Sequence, residues 1–290
     1  MAKKSKKPKP KQTREPTSQH LEEQNLPNND AGGDSNLMTF GGHLEVLRRM
    51  LFRILGVAGL IAAVIFCFKD ITWRILLAPS EWDFCTYRWI EHVMQTVEPG
   101  FRFEEFHVDM IATDLSSQFM THISTAIYLG LLGASPYILF ELFRFISPAL
   151  YENERKYSVQ VASIIYALFL LGVLMSYFVL FPISFRFLGT YSVSTRVVSN
   201  ITLDSYISTF ASLTLVMGLM FQLPVIAFFL GKLGVVTSGM LAQYRKHAFL
   251  VIMLVAAIIT PPDVMTLILV AIPLYLLYEI SIRILMFIEK

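Results

Sequence analysis

Charge is scarce in this sequence. Only 16% of its 290 residues are Asp, Glu, Lys or Arg, and 54% are hydrophobic. Ordinary globular domains are about a quarter charged. Even a chain with a large core must wet its surface, so this shortage argues against a soluble enzyme. Cysteine is nearly absent. Cys67 and Cys85 are the only two, one in an apolar run and one in a polar stretch, with no C-x-x-C spacing. That excludes a disulfide scaffold and a thiolate metal centre. Catalytic signatures are missing as well. The six histidines are scattered, none in H-E-x-x-H, and no G-x-S-x-G or glycine-rich phosphate loop occurs.

What is present is long uncharged runs. They comprise 15 residues between Arg53 and Lys69, 26 over 115–140, 29 over 157–185, 27 over 205–231, 16 over 247–262 and 15 over 264–278. A helix rises about 1.5 Å per residue, so about 20 residues cross a ~30 Å hydrocarbon core. Lipid admits only helices or closed barrels, and runs this long without alternation select helices. The expectation is an all-α polytopic membrane protein with six transmembrane helices, at about 48–68, 117–144, 157–181, 204–231, 245–260 and 264–287. The last two are short. Pro261 and Pro262 cannot continue a helix, so Thr260-Pro-Pro-Asp263 forms a tight tip between them rather than the middle of one kinked helix.

The ends orient the bundle. With the N-terminus inside, the outer segment 69–114 carries four Lys/Arg against nine acids, while 232–246 carries three Lys/Arg and no acid. Lys and Arg favour the cytoplasmic side, so both termini are expected inside. Across the chain the outer segments hold six Lys/Arg and eleven acids and the inner segments eighteen and eleven, so a net charge of +2 conceals two oppositely charged faces. The first 14 residues carry seven Lys/Arg and no acid. No apolar stretch follows directly, as a secretory signal would require. Residues 1–37 read as a disordered tail ahead of a membrane domain over 38–290. The tail has no aromatic residue for base stacking, which favours an anionic membrane surface over nucleic acid.

Against so apolar a background, polar residues in or beside the membrane need a reason. Glu141 and Arg144 lie three apart on one helix face, where an intrahelical ion pair is the plainest account. Glu152 and Glu154 stand in a short inner loop. Gln222 falls inside the fourth apolar run, and the adjacent Pro224 is expected to kink that helix. Asp263 sits at the tip, and Glu279 near the inner end of the last helix can snorkel or pair with Arg283. His122 reads as a packing residue in preference to a proton relay. Ahead of the first run, Gly42-His43-Leu44-Glu45-Val46-Leu47-Arg48-Arg49 is a short amphipathic lead-in.

Together these segments resemble the TatC family, the multispanning receptor subunit of the twin-arginine protein translocase. The resemblance rests on His43-Leu44-x-x-Leu47-Arg48, Ala112-Thr113-Asp114, Ser135-Pro136-Tyr137-Ile138-Leu139-Phe140-Glu141 and Phe145-Ile146-Ser147-Pro148-Ala149-Leu150-Tyr151 through Glu154-Arg155. Phe221-x-Leu223-Pro224, Ala257-Ile258-Ile259-Thr260-Pro261-Pro262-Asp263, Ala271-Ile272-Pro273 and Leu277-Tyr278-Glu279 complete it. It implies six helices with both termini in the cytoplasm of a bacterial inner membrane. It also implies recognition of Arg-Arg signal peptides on folded cargo, and export driven by the proton-motive force. The partners implied are single-span TatA/TatB-type subunits, further copies of the chain and membrane lipid, with no cofactor, metal or nucleic acid. The implied signal-binding residues are Glu154, Glu45, His43, Arg48 and Glu141. The intramembrane polar positions are Gln222, Thr260, Asp263 and Thr266. A carboxylate suits paired arginines because the guanidinium fork can bind it bidentately.

Three positions depart from the family's pattern. Its lead-in glutamate falls where Val46 stands, with Glu45 one place earlier, about 100° around a helix. Its intramembrane glutamate is Gln222 here, and its Ser-Gln after the tip is Thr266-Leu267. A small-solute secondary transporter is the alternative function. It is disfavoured because no inverted repeat is evident and the charges lie at the inner rim. An intramembrane hydrolase would lack a nucleophile–base pair.

Overall fold

The computed structural model describes residues 40–100, 102, 105–106, 108–146, 158–192, 194 and 200–289. The chain divides into two units, Met1–Glu45 and Val46–Lys290. The described part of the first is the opening of α1. Everything below concerns the second unless stated. The basic tail over 1–37 lies outside the described residues.

The elements in chain order are α1 Phe40–Cys67, α2 Lys69–Leu77, α3 Cys85–Val97, β1 Met110–Ile111, α4 Ser117–Gly133, α5 Ser135–Ile146, α6 Ser158–Met175, α7 Phe181–Thr190, β2 Ile201–Thr202, α8 Leu203–Met220, α9 Leu223–Lys232, α10 Ser238–Gln243, α11 Arg245–Ile259 and α12 Val264–Ile288. Among the described residues, four helical stretches are long and apolar enough to cross a membrane: Leu44–Cys67, Val161–Thr190, Leu203–Lys232 and Val264–Ile288. The bent pair α4–α5 makes a fifth if it is one span. The α11 helix has 15 residues, or about 22 Å at 1.5 Å per residue, and is too short for that test. The chain is a multi-pass, all-helical membrane protein apart from one small pairing. In that pairing β1 and β2 lie parallel, Met110 opposite Ile201 and Ile111 opposite Thr202.

Prolines explain where the helices depart from the simple reading. The expected continuous helix over 117–144 is corrected to two helices meeting at 52°. Pro136 has no N–H for the Leu132 carbonyl, and its ring crowds that turn. The third helix, expected to end near 181, instead continues to Thr190 through a π-helical turn, Ser176–Leu180. Pro182 removes the donor for the Phe178 carbonyl, four residues back, and the Thr86 hydroxyl donates to that carbonyl instead. A freed backbone acceptor thus becomes an attachment point for the segment 69–114. Pro224 breaks the fourth span between α8 and α9, as expected. The first helix begins at Phe40, so the lead-in and the span are one element.

The segment 69–114, expected as an outer loop, contains two helices. They are too short and polar to span, and tyrosines hold them down. The last carbonyls of α2 have no partner inside the helix. The Tyr177 hydroxyl donates to Ile75 O at 2.7 Å, Tyr206 to Leu76 O at 2.7 Å and the Ser80 hydroxyl to Leu77 O at 2.7 Å. The Tyr87 hydroxyl lies between Pro79 O (3.0 Å) and Pro182 O (2.8 Å) and can donate to one at a time. Burial pushes the Tyr87 phenol well above its usual range, although Arg186 beside it pulls the other way. It therefore remains a donor. Arg186 lies 4.8 Å from the Phe106 ring centre and 5.4 Å from that of Tyr87.

The core beneath is aromatic and aliphatic: Phe181, Phe185, Tyr206, Phe210, Leu213, Met217, Val270 and Leu274 are all buried. Tyr206→Phe should keep this packing and orphan the Leu76 carbonyl. The expected cost is about 1–3 kcal/mol, read as a lower melting temperature of the detergent-purified protein.

Candidate functional site

The polar residues singled out in the sequence fall into two groups. The first lies where α1 meets the end of α5. Glu141 is 7% exposed. Its Oε1 accepts from the Tyr137 hydroxyl at 3.0 Å and faces Arg53 Nη1 at 3.5 Å. The expected intrahelical pair with Arg144 is therefore corrected: Glu141 pairs across to α1. A side chain 88 positions away along the chain gives no local signal. Arg49, Arg53, Glu141, Arg144 and Val46 line one cavity there, which places Val46 on a basic wall. Glu45 and Arg48 are each engaged in interactions. His43 lies in the α1 backbone, and its side chain is outside the described residues, as are Glu152, Glu154 and 147–151.

The second group is intramembrane. The Gln222 amide Nε2 donates to the Ile165 carbonyl at 3.1 Å and is buried, tying the break before Pro224 to α6. Pro261 and Pro262 lie at the tip between α11 and α12, as expected. The Thr260 hydroxyl donates to Ala256 O at 2.9 Å. Asp263 caps α12: one carboxylate oxygen accepts from Thr266 N at 2.7 Å and the other from the Thr266 hydroxyl. These side chains therefore shape the hairpin. Asp263→Ala should lower stability by about 1 kcal/mol, within the 0.5–2 usual for a lost N-cap, as read by thermal unfolding. Glu279 does not take Arg283. It binds Arg245 of α11 through two contacts, Nε–Oε1 2.8 Å and Nη2–Oε2 3.1 Å, with the Tyr275 hydroxyl donating to Oε1 at 3.2 Å. His122 stacks on Phe66 with ring centres 4.3 Å apart, as a packing residue would, but its buried Nε2 has no hydrogen-bond partner among the described residues, so the expectation of a hydrogen-bonded packing histidine holds only for the packing. Both cysteines are exposed and unpaired.

On its outer side α11 presents Leu250, Val251, Leu254 and Ile258, and α12 presents Val264, Met265 and Ile268, all exposed. Sequence reading passed over this apolar face, although Leu250, Leu254 and Ile258 recur at four-residue spacing.

The sequence profile of Sec-independent protein translocase proteins (TatC) matches residues 42–273. The chain belongs to the TatC family. A TatC from Blattabacterium sp. subsp. Periplaneta americana (strain BPLAN) is 35% identical over 263 residues, covering 89% of this chain and 98% of the relative. One from Carboxydothermus hydrogenoformans is 32% identical over 255 residues, covering 87% and 94%. A crystal structure of the twin-arginine translocase receptor TatC superimposes with a TM-score of 0.69 at 30% identity, over 86% of this chain and all of that one. This TatC is thus a receptor subunit of the twin-arginine translocase and not an enzyme. The small-solute transporter reading falls away.

Proposed function

We propose that this TatC receives Arg-Arg signal peptides at the end of the bundle where α1 begins and α5 ends. In this reading the chain spans the bacterial cytoplasmic membrane six times, with α4–α5 one bent span, α11 and α12 a short pair, and both termini in the cytoplasm. Residues 1–37 form a basic tail ahead of the membrane domain over 38–290. The observation that carries this reading is the match along nearly the whole chain to a solved twin-arginine receptor.

Glu45 and Glu154 are the carboxylates offered to the arginine pair, and His43 and Arg48 of the lead-in belong to the same signal-binding set. Glu141 contributes indirectly, because its carboxylate is committed to Arg53 and Tyr137. The exposed apolar face of α11 by Thr260, with the tip residues Asp263 and Thr266, receives a single-span TatA/TatB-type subunit. Gln222 holds the broken α8–α9 span in shape behind it. Further copies of the chain complete the assembly.

Site-specific photocrosslinking in membranes tests both places. A probe at 154 should capture an Arg-Arg signal peptide and lose it when the pair becomes Lys-Lys. A probe at 260 should capture a single-span subunit irrespective of signal. Equal capture of both peptides at 154 would remove that loop from the recognition site.

A further inference from the structure

The α3 helix carries three different surfaces. Thr86 and Tyr87 are buried against the bundle, and Ile90 and Met94 beside them are half-buried. Trp89, Val93 and Val97 are 67%, 43% and 79% exposed. They stand four residues apart, so they form one stripe that turns only about 40° per step. Arg88, His92 and Gln95 are exposed as well, on a flank about 130° around the helix from that stripe. Arg88 pairs there with Asp83 at 2.9 Å. The polar flank suits water and the apolar flank does not.

The height of α3 on the bundle says what meets the apolar flank. The Thr86 hydroxyl donates to the Phe178 carbonyl, and the Tyr87 hydroxyl reaches that of Pro182. Phe178 and Pro182 lie about 26 and 32 Å along the span that starts at Val161, at 1.5 Å per residue. A hydrocarbon core is ~30 Å thick. Counted from Val161, it ends where α3 is attached. Two ionisable side chains mark the same boundary, since each would be costly in hydrocarbon. Arg186 lines one cavity with Ile90 and Thr266, and Thr266 is the residue that Asp263 binds. All three tryptophans of the chain, Trp73, Trp82 and Trp89, fall within 69–97, and Trp82 is also exposed. Indole favours the membrane–water boundary, with its ring among acyl chains and its N–H among headgroups.

We propose that α3 lies in the membrane–water interface, with Trp89, Val93 and Val97 among the lipid acyl chains and Arg88, His92 and Gln95 in water. The occupant of the exposed stripe is a lipid surface. Because α3 is tied to Phe178 and Pro182, its immersion fixes which part of the 30-residue span Val161–Thr190 sits in hydrocarbon. That part runs from Val161 to Pro182, and the rest of α7 stands among the headgroups.

The test is spin-label accessibility of the full chain in phosphatidylcholine nanodiscs, in a Cys67→Ser/Cys85→Ser background. Trp89→Cys, Val93→Cys and Val97→Cys form one set of labelled sites, and His92→Cys and Gln95→Cys the other. Oxygen, which partitions into acyl chains, and a water-soluble nickel chelate are the relaxing agents. The oxygen-to-nickel collision ratio should be severalfold higher throughout the first set than in the second. Equal ratios would show that the stripe faces water and would overturn the proposal. Low accessibility of the first set to both agents would assign the stripe to a protein partner, a second copy included, and would overturn it as well. If the serine background does not fold, Trp73→Phe/Trp82→Phe with both native cysteines leaves Trp89 as the reporter. Lipid brominated high on the acyl chain should then quench its fluorescence severalfold more than aqueous iodide does, and an equal or reversed order overturns the proposal.

Discussion

Gly172→Leu should abolish the folded receptor. At this crossing of α6 and α8 the two backbones touch: a Cβ on Gly172 would lie 2.6 Å from the Met217 carbonyl oxygen and 3.0 Å from the Gly218 Cα. On the other side, Phe169 packs so closely over Gly218 that a Cβ there would come within 2.7 Å of its ring. In lipid, helices associate through close packing rather than hydrophobic expulsion, and small residues permit that approach. Backbone cannot retreat as a side-chain tip can. Leucine must therefore push the helices apart along a contact that also carries the buried Ser176–Thr214 hydroxyl pair, 3.2 Å apart. Overpacking usually costs about 1–3 kcal/mol, and a backbone clash at a span crossing belongs at or above the top of that range. The expected result is aggregated protein after extraction. Gly172→Ala should fold with a clearly lowered melting point. Gly56→Ala is the control: nothing lies within 4 Å of its would-be Cβ, so it should be neutral or gain up to about 1 kcal/mol of helix stability. Equal behaviour of Gly172→Leu and Gly56→Ala would show that the α6–α8 crossing is looser than described.

The elements most legible in the sequence are those written in uncharged runs and prolines. The Thr260–Asp263 tip was readable because two adjacent prolines and an acid cannot sit inside a lipid-bound helix. The start of α12 at Val264 coincides with the start of the uncharged run after Asp263, which the structure shows to be the helix N-cap. The bend after Gly133 carried the same sort of signal in Pro136. It was masked by the unbroken apolar run around it, which reads as one span whether or not it bends. The passage of the third helix through Pro182 was not readable at all. It depends on Thr86, 92 positions from the Phe178 carbonyl it serves, replacing the missing donor, and no local pattern records that. The tyrosines that hold α2 and α3 belong to the same class: Tyr206 and Leu76 are 130 positions apart.

The candidate site divides along the same line. Residue types at single positions, such as Glu141, Gln222 and Glu279, were visible because polar groups are conspicuous against apolar sequence. Their partners were not. The local pairings, Glu141 with Arg144 and Glu279 with Arg283, gave way to Arg53 and Arg245 on other helices. Spacing reports which side chains share a face of one helix, and the bundle decides which faces meet.

That distinction bears on the lead-in acid. Simultaneous Glu45→Ala and Glu154→Ala should reduce capture of an Arg-Arg signal peptide to the level of a Lys-Lys peptide. A charged hydrogen-bonding contact is worth about 1.5–3 kcal/mol, so each lost carboxylate should weaken binding about ten- to a hundredfold. In the proposed reading Glu154→Ala alone should show the larger effect, because the resemblance assigns the loop acid to Glu154, whereas Glu45 lies one residue, about 100° around a helix, from the position it assigns to the lead-in acid. Adding Val46→Glu to Glu45→Ala should restore capture if the signal approaches from the family's direction. Val46 lines the arginine cavity, so the same substitution also adds an anion to that wall. No recovery would mean that Glu45 acts from its own face of the helix, and that this receptor holds the arginine pair at an angle different from its relatives.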